Sequence, residues 1–184
     1  MAKKVIIVTG PIGSGKSTAI NYFREQGFET IDLDKVSNLI LFNESTKIFI
    51  IENFPEVIID NLINKKLLAD IVFSDKKKLE ILEDYLHPKI LLELQNKVEE
   101  TKGVLFVEVS APKNIQEEFE CLVIISNKNS RKDRLIKRGM HIDDIKNRMN
   151  IQKSDDWWES LGQVIVNNNK QEFIESLEKY LKDL

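Results

Sequence analysis

The sequence predicts an α/β fold in which a parallel five-stranded sheet carries helices on both faces. Five short apolar segments have the composition of buried strands, and segments with apolar residues at helical spacing lie between them. This alternation is typical of a parallel sheet, because each strand needs a crossover connection to reach its neighbour. The predicted strands are residues 5–9, 28–31, 104–109, 121–126 and 164–166.

The first predicted strand leads directly into Gly10-Pro11-Ile12-Gly13-Ser14-Gly15-Lys16-Ser17, which satisfies the pattern Gly-x-x-x-x-Gly-Lys-[Ser/Thr]. Glycines let backbone N–H groups approach a phosphate tail, and the lysine reaches its β and γ oxygens. The helix predicted from Thr18 to Gln26 starts at this loop, so its N-terminus faces the anion. We therefore predict a P-loop nucleoside triphosphate hydrolase-like fold. The expected nucleotide-binding residues are Gly13, Ser14, Gly15, Lys16, Ser17 and Thr18.

Composition limits the classes of partner. The chain has 184 residues, of which 42% are apolar, and its net charge is −3. A nucleic-acid-binding protein has a strong basic excess, so we expect no nucleic-acid partner. Cys121 opens an apolar run and is expected to be a buried thiol without a disulfide partner, which fits a cytoplasmic protein. No segment approaches the ~20 apolar residues of a membrane helix, so we expect no membrane partner.

The predicted organisation is a single domain in three parts. The core comprises about residues 1–36, 102–128 and 160–184, where the strand signals lie. Apolar residues recur at helical spacing across about 37–101, which predicts a helical insertion. Within it, 57–59 fits either a helix or a short strand, and His87-Pro88 is expected at a helix junction. A helical lid is predicted at about 129–158.

Acidic side chains are expected near the phosphate loop. Asp32 and Asp34 follow the second strand, and ligands of such sheets gather beyond the carboxyl ends of the strands. A carboxylate there can accept the proton of an attacking hydroxyl. For Asp34, the alternative is that it caps a helix starting near Val36. Glu108, on the third strand, is predicted to hold Mg²⁺ together with Ser17, unless it occupies an exposed edge.

Arg131, Arg134 and Arg138 recur at helical offsets and share one face of a predicted helix. Guanidinium groups stabilise the charge of a moving phosphoryl group, so this face is predicted to cover the phosphates, Arg134 and Arg138 above all. The alternative is a solvated face. Arg148 and Gln152 either extend this arginine surface or lie apart from it, and the sequence leaves both alternatives open. After the last strand, Asn168 and its neighbours form either an adenine contact or a polar turn. Trp157-Trp158 is expected to pack.

These residues together resemble the dephospho-CoA kinase family. The resemblance lies in residues 9–18, in 27–34 with its Ile-Asp-x-Asp, in 65–75, in 82–90 with its Leu-His-Pro, in Arg134, Arg138 and Gln152, and in 164–168. It implies ATP-dependent phosphorylation of the ribose 3′-hydroxyl of dephospho-CoA, with ATP and Mg²⁺ as cofactors. By this resemblance Asp34 is the general base, Lys16, Arg134 and Arg138 stabilise the phosphates, and the insertion binds the acceptor.

Two other functions remain to be compared. The nearest is another small-molecule kinase on this scaffold, acting on a nucleoside or a nucleoside monophosphate. Two departures from the family pattern bear on it: Ile63-Asn64 stands where the family usually has Asp-Arg, and Ser110-Ala111-Pro112 where it has Pro-Leu-Leu. The second function is a nucleotide-controlled switch, but the chain lacks Asn-Lys-x-Asp and Asp-x-x-Gly. We expect a monomer or a weak homo-oligomer.

Overall fold

The structure is a computed structural model that describes residues 4–112 and 118–184. The chain forms two compact units, one made of Met1–Asp32 with Thr101–Leu184 and one of Leu33–Glu100. The strands are β1 (Lys4–Thr9), β2 (Glu29–Asp32), β3 (Ile58–Ile59), β4 (Leu62–Ile63), β5 (Val104–Glu108), β6 (Glu120–Ile125) and β7 (Gln163–Val166). The helices are α1 (Lys16–Glu25), α2 (Leu33–Leu41), α3 (Glu44–Asn53), α4 (Lys65–Ser74), α5 (Lys76–Glu100), α6 (Lys128–Lys137), α7 (Ile142–Ile151), α8 (Asp155–Glu159) and α9 (Lys170–Lys182).

The first unit contains a five-stranded sheet in the order β2-β5-β1-β6-β7. Every neighbouring pair is parallel. Successive residues of β1, Ile6, Ile7 and Val8, are all fully buried although they point to opposite faces, so both faces of the sheet are covered. The predicted parallel five-stranded α/β fold is confirmed, and each predicted strand agrees with an observed one to within one residue at either end.

On one face of the sheet, aromatic side chains from α1 and β5 form the centre of the core. Phe23 stacks on Phe106 with ring centroids 3.9 Å apart. Phe173 and Leu177 of α9 complete this cluster and are essentially unexposed. The same core fixes the start of α1 beside the ends of β1 and β5, where the phosphate loop lies. Cys121 is buried and free, as predicted, and burial raises the pKa of its thiol.

The second unit is mostly helical, as predicted for the insertion. Its core includes Ile50, Phe54 and Val57, which are fully buried. The segment 57–59, which fitted either a helix or a strand, contains both: a 3₁₀ turn over Pro55–Val57 ends at its first residue, and β3 forms the rest. Strands β3 and β4 form a hairpin whose two turn residues, Asp60 and Asn61, both have positive φ, as a type I′ turn requires. The unit begins at Leu33, earlier than the boundary near residue 37 that the sequence suggested.

The expected helix junction at His87-Pro88 is wrong. Helix α5 runs without interruption from Lys76 to Glu100, with Pro88 inside it. A proline removes one hydrogen-bond donor from a helix and strains its backbone. Buried Leu82 and Leu86 before the proline and buried Leu94 after it anchor the helix on both sides. Tertiary packing of the apolar face therefore outweighs the local preference. Within the residues described, no helix is long and apolar enough to span a bilayer.

Candidate active site

The P-loop, residues 10–17, has the backbone shape that a phosphate cradle needs. Gly10, Gly13 and Gly15 have φ values of 141°, 76° and 112°, a region that residues with a Cβ rarely adopt. The Ser14 N–H donates to the Pro11 carbonyl at 3.2 Å, which closes the turn. Gly15 precedes the first residue of α1, so the loop ends at a helix N-terminus that favours negative charge.

Lys16 lies folded over the P-loop. Its side chain is only 8% exposed, and Nζ donates to the Gly10 carbonyl at 3.0 Å and to the Pro11 carbonyl at 3.4 Å. A buried ammonium needs such acceptors. The loop therefore holds a positive charge at the point where the sequence placed the nucleotide phosphates.

Ser17 and Glu108 meet directly beside the loop. The Ser17 hydroxyl donates to Glu108 Oε1 at 2.8 Å, and Glu108 is buried. The alternative that Glu108 occupies an exposed edge is therefore wrong. Asp32 is the Cα partner of Glu108 across β2 and β5, so the sheet places two carboxylates in one row. Hydroxyl and carboxylate oxygens are ligands that Mg²⁺ accepts alongside substrate phosphates, so this donor set fits the ion.

Two arginines of α6 lie against the P-loop. Arg134 Nη1 donates to the carbonyls of Gly13 and Ser14 at 3.1 and 3.3 Å. Burial and the nearby Arg138 lower the pKa of the Arg134 guanidinium. Arg131 is 3% exposed and donates from Nε to the Ile12 carbonyl at 3.0 Å. The solvated-face alternative is therefore wrong for these two residues.

The remaining residues of the predicted lid divide into two groups. Gln152, after α7, accepts a hydrogen bond from the Ile12 N–H at 3.0 Å and so joins the contacts on the loop. Arg138 and Arg148 are exposed at the ends of α6 and α7. Trp158 is buried and packs edge-on against Trp157 at 5.0 Å, in agreement with a packing role.

The three asparagines after β7 have three different contacts. Asn167 is 5% exposed and donates from Nδ2 to the Ser14 carbonyl at 2.8 Å. Asn168 Oδ1 accepts from the Asn127 N–H at 2.8 Å and so connects β7 to the start of α6. Asn169 caps α9 through the Gln171 and Glu172 N–H groups. An adenine contact by Asn168 stays a prediction.

Comparison with known proteins agrees with this geometry. A sequence model of the dephospho-CoA kinase family matches residues 4–173. The dephospho-CoA kinase of Dehalococcoides mccartyi is 30% identical over 176 residues, which cover 90% of this chain and 89% of that protein. The chain belongs to the dephospho-CoA kinase family.

Solved structures support the assignment. A Thermus thermophilus protein superposes with a TM-score of 0.92 at 25% identity, covering 100% of this chain and 99% of that one. The dephospho-CoA kinase from Campylobacter jejuni gives a TM-score of 0.73 at 25% identity, covering 99% of this chain and 97% of that one. The shikimate kinase of Acinetobacter baumannii, at 15% identity and a TM-score of 0.53, shares the fold.

The dephospho-CoA kinase family catalyses the ATP-dependent phosphorylation of dephospho-CoA to coenzyme A. Membership confirms the resemblance predicted from the sequence and makes the chain a P-loop kinase of this family. It favours dephospho-CoA over a nucleoside or a nucleoside monophosphate as acceptor. The predicted roles of individual residues are a separate matter and stay predictions.

Asp34, the predicted general base of this dephospho-CoA kinase, lies in the second unit. It is exposed and is the second residue of α2, which begins at Leu33. The helix therefore begins three residues before the start near Val36 that the sequence predicted, and Asp34 does not precede it. An acidic side chain in the first turn of a helix is favoured by the helix dipole.

One departure from the dephospho-CoA kinase pattern has a structural explanation. Asn64 Oδ1 accepts from the Leu67 N–H at 3.0 Å and caps α4. Asparagine is among the residues preferred at this position, so Asn64 stabilises the start of the helix where the family usually has an arginine. Lys65, next to it, donates from Nζ to Asn38 Oδ1 within the same unit.

The sequence did not predict the loop contact of Asn167, and it left that of Gln152 as one of two alternatives. Both are polar side chains that directly follow an element, Asn167 after β7 and Gln152 after α7. That position is compatible with many roles, and 153 residues separate Asn167 from Ser14. No local pattern links residues so far apart, so only the packed sheet reveals the contact.

Proposed function

We propose that this chain transfers the γ-phosphoryl group of ATP to the ribose 3′-hydroxyl of dephospho-CoA. The acceptor oxygen attacks the γ-phosphorus, the bond to the β,γ-bridging oxygen breaks, and ADP leaves with the electron pair. Asp34 accepts the hydroxyl proton as the attack proceeds. The protein contributes mainly positioning and charge stabilisation, because phosphoryl transfer leaves little covalent chemistry for side chains to perform.

The observation that carries this proposal is the contact between Ser17 and Glu108 beside a P-loop of the required shape. A hydroxyl donates to a buried carboxylate at 2.8 Å, next to an ammonium held on the loop carbonyls. Ser17 and Glu108 would hold Mg²⁺ together with the nucleotide, and the ion would supply positive charge that neutralises the phosphates. Lys16 then turns from the loop carbonyls to the phosphate oxygens, which are better acceptors for its charge.

The two lid arginines receive different roles in this proposal. Arg134 donates to backbone carbonyls of the P-loop, so it supports the loop and adds positive charge near it. Arg138 is exposed one turn further along the chain, at the end of α6, and is free to contact the transferring phosphoryl group. Asn168 contributes to the adenine side, and the helical insertion binds the acceptor.

An acceptor panel tests the substrate. ADP release is coupled to a spectrophotometric readout, with dephospho-CoA, nucleosides and nucleoside monophosphates offered at equal concentration. We expect dephospho-CoA to give the highest kcat/KM, and phosphorus NMR to show a new phosphomonoester on the ribose 3′ carbon. A higher kcat/KM for a nucleoside monophosphate would overturn the acceptor, and a phosphate elsewhere would overturn the site of transfer.

The metal role is tested with Glu108→Gln, which keeps the shape of the side chain and removes its charge. We expect the concentration of free Mg²⁺ needed for half-maximal rate to rise about tenfold, since ligand and outer-shell changes typically cost this much. The control is Glu99→Gln, a change of the same kind on α5 in the other unit. An unchanged Mg²⁺ requirement would remove Glu108 from the metal site.

We further propose a cytoplasmic enzyme that is a monomer or a weak homo-oligomer, with no nucleic-acid or membrane partner. The support is the free, buried Cys121 and the net charge of −3. Light scattering coupled to size-exclusion chromatography measures the mass in solution. A stable assembly larger than a dimer at micromolar concentration would contradict this proposal.

A further inference from the structure

Asn167 follows β7 and its side chain is inserted against the P-loop. It is 5% exposed, whereas most asparagines in the described part of the chain face water. Nδ2 donates to the Ser14 carbonyl at 2.8 Å, and Oδ1 accepts from Arg134 Nη2 at 3.1 Å. Ser126 Oγ donates to the backbone carbonyl of Asn167 at 2.7 Å, which fixes the residue from the other side.

The chemistry of the two partners determines the orientation of the Asn167 amide. A carbonyl oxygen only accepts hydrogen bonds, and a guanidinium only donates them. The Nδ2 group must therefore face Ser14 and the oxygen must face Arg134. Turning the amide over would place donor against donor and acceptor against acceptor, so the buried side chain has one orientation that satisfies both partners.

The same amide fills the space directly behind Gly15. A Cβ built on Gly15 would lie 2.0 Å from Asn167 Nδ2, a distance that no real side chain tolerates. The glycine of the motif is therefore required by this contact as well as by its φ of 112°. The Asn167 side chain supports the loop at the residue that joins it to α1.

Peptide geometry carries this contact to the other side of the loop. The Ser14 carbonyl and the Gly15 N–H belong to one planar trans peptide, so they point in opposite directions. A donor that holds the carbonyl outward also aims the Gly15 N–H inward, towards the bound phosphates. Arg131 acts in the same way on the Ile12–Gly13 peptide. It donates to the Ile12 carbonyl, which orients the Gly13 N–H.

We propose that Asn167 is a positioning residue for nucleotide binding, whose amide N–H fixes the Ser14–Gly15 peptide so that the Gly15 N–H faces the phosphates. This inference rests on the nucleotide part of the proposed function and is independent of the acceptor. Asn167 acts through the peptide, and it is needed as a hydrogen-bond donor rather than as a space-filling side chain.

The test compares Asn167→Ala with Asn167→Asp. Aspartate keeps the size of asparagine and an oxygen for Arg134, but it places an acceptor against the Ser14 carbonyl. We expect both variants to bind ADP about tenfold more weakly in isothermal titration calorimetry, and the KM for ATP to rise by the same factor, as the loss of one buried hydrogen bond predicts. The KM for dephospho-CoA stays unchanged. Asn147→Ala, an exposed asparagine on α7, is the matched control and behaves as the wild type.

A purely structural role gives a different result. A variant that only folds less completely has a smaller active fraction, so its apparent kcat falls while the KM for ATP and the Kd of ADP stay at wild-type values. That result would overturn the proposal, and so would wild-type ADP binding by Asn167→Asp. Aspartate leaves no cavity, so it provides the test even if the alanine variant does not fold. ADP binding needs no acceptor, so a wrong acceptor assignment leaves this test intact.

Discussion

The P-loop has two sides that are built from different kinds of contact. On the side of Ser17, a hydroxyl of the loop meets Glu108, and Lys16 lies over the loop carbonyls. On the outer side, Arg131, Arg134, Gln152 and Asn167 hold the backbone of residues 12–14. In our proposal, the groups on the phosphate side act on the substrate, and those on the outer side act mainly through the loop.

This difference predicts two classes of variant. Interactions that strengthen as charge moves in the transition state affect kcat, whereas interactions that shape a binding site affect the affinity for the ligand in both states. Changes on the phosphate side should therefore lower kcat. Changes on the outer side should raise the KM for ATP and leave kcat close to the wild-type value.

The largest effect is expected for Lys16→Ala. The ammonium is the only side-chain charge within the motif itself, and preorganised charge on the phosphates is worth a large factor in rate. We expect kcat to fall at least about 10³-fold in the coupled ADP-release assay. A retained kcat with only a raised KM for ATP would move Lys16 to the class of binding residues and break the comparison.

The second effect, in order of size, is expected for Asp34→Asn. Loss of a general base lowers kcat by at least about 10²-fold, while ADP binding measured by calorimetry is retained. Asp32→Asn is the informative partner, because Asp32 is the neighbour of Glu108 in the sheet. A large fall in kcat for Asp32→Asn and none for Asp34→Asn would transfer the base to the end of β2.

A smaller effect is expected for Arg138→Ala. The side chain is exposed, so solvent screens its charge. We expect kcat to fall about tenfold with the affinity for ATP largely retained, because the charge it stabilises develops late in the reaction. Lys137→Ala, an exposed cation at the end of the same helix, controls for the change in net charge. Equal losses in ATP affinity and rate would make Arg138 a ground-state anchor.

The smallest effect is expected for Gln152→Ala, on the outer side. It removes one acceptor from the Ile12 N–H, which lies next to the residues that are predicted to bind phosphate. We expect the KM for ATP to rise about threefold with kcat unchanged, since one partly exposed hydrogen bond is modest in net free energy. Gln95→Ala, on the surface of α5, is the control. A lower kcat with an unchanged KM would place Gln152 with the phosphate-side residues.

The phosphate side could be predicted from the sequence because its signal is local. Eight consecutive residues contain the glycines, the lysine and the serine, and a strand and a helix flank them. The partner Glu108 was found by its place on a buried strand, although the sequence left an exposed edge open. Pro88, by contrast, led to the wrong prediction of a helix junction, because buried leucines on either side of it stabilise α5.

The sequence by itself determined the succession of the main strands and helices along the chain, the P-loop and the family. Apolar periodicity and a contiguous motif depend only on neighbouring residues. Only the tertiary structure decided what lies behind the loop. Arg134 and Asn167 reach Gly13 and Ser14 across sequence separations of 121 and 153 residues. Such contacts arise where β1, β6 and β7 lie side by side, and that arrangement depends on the packing of the whole sheet.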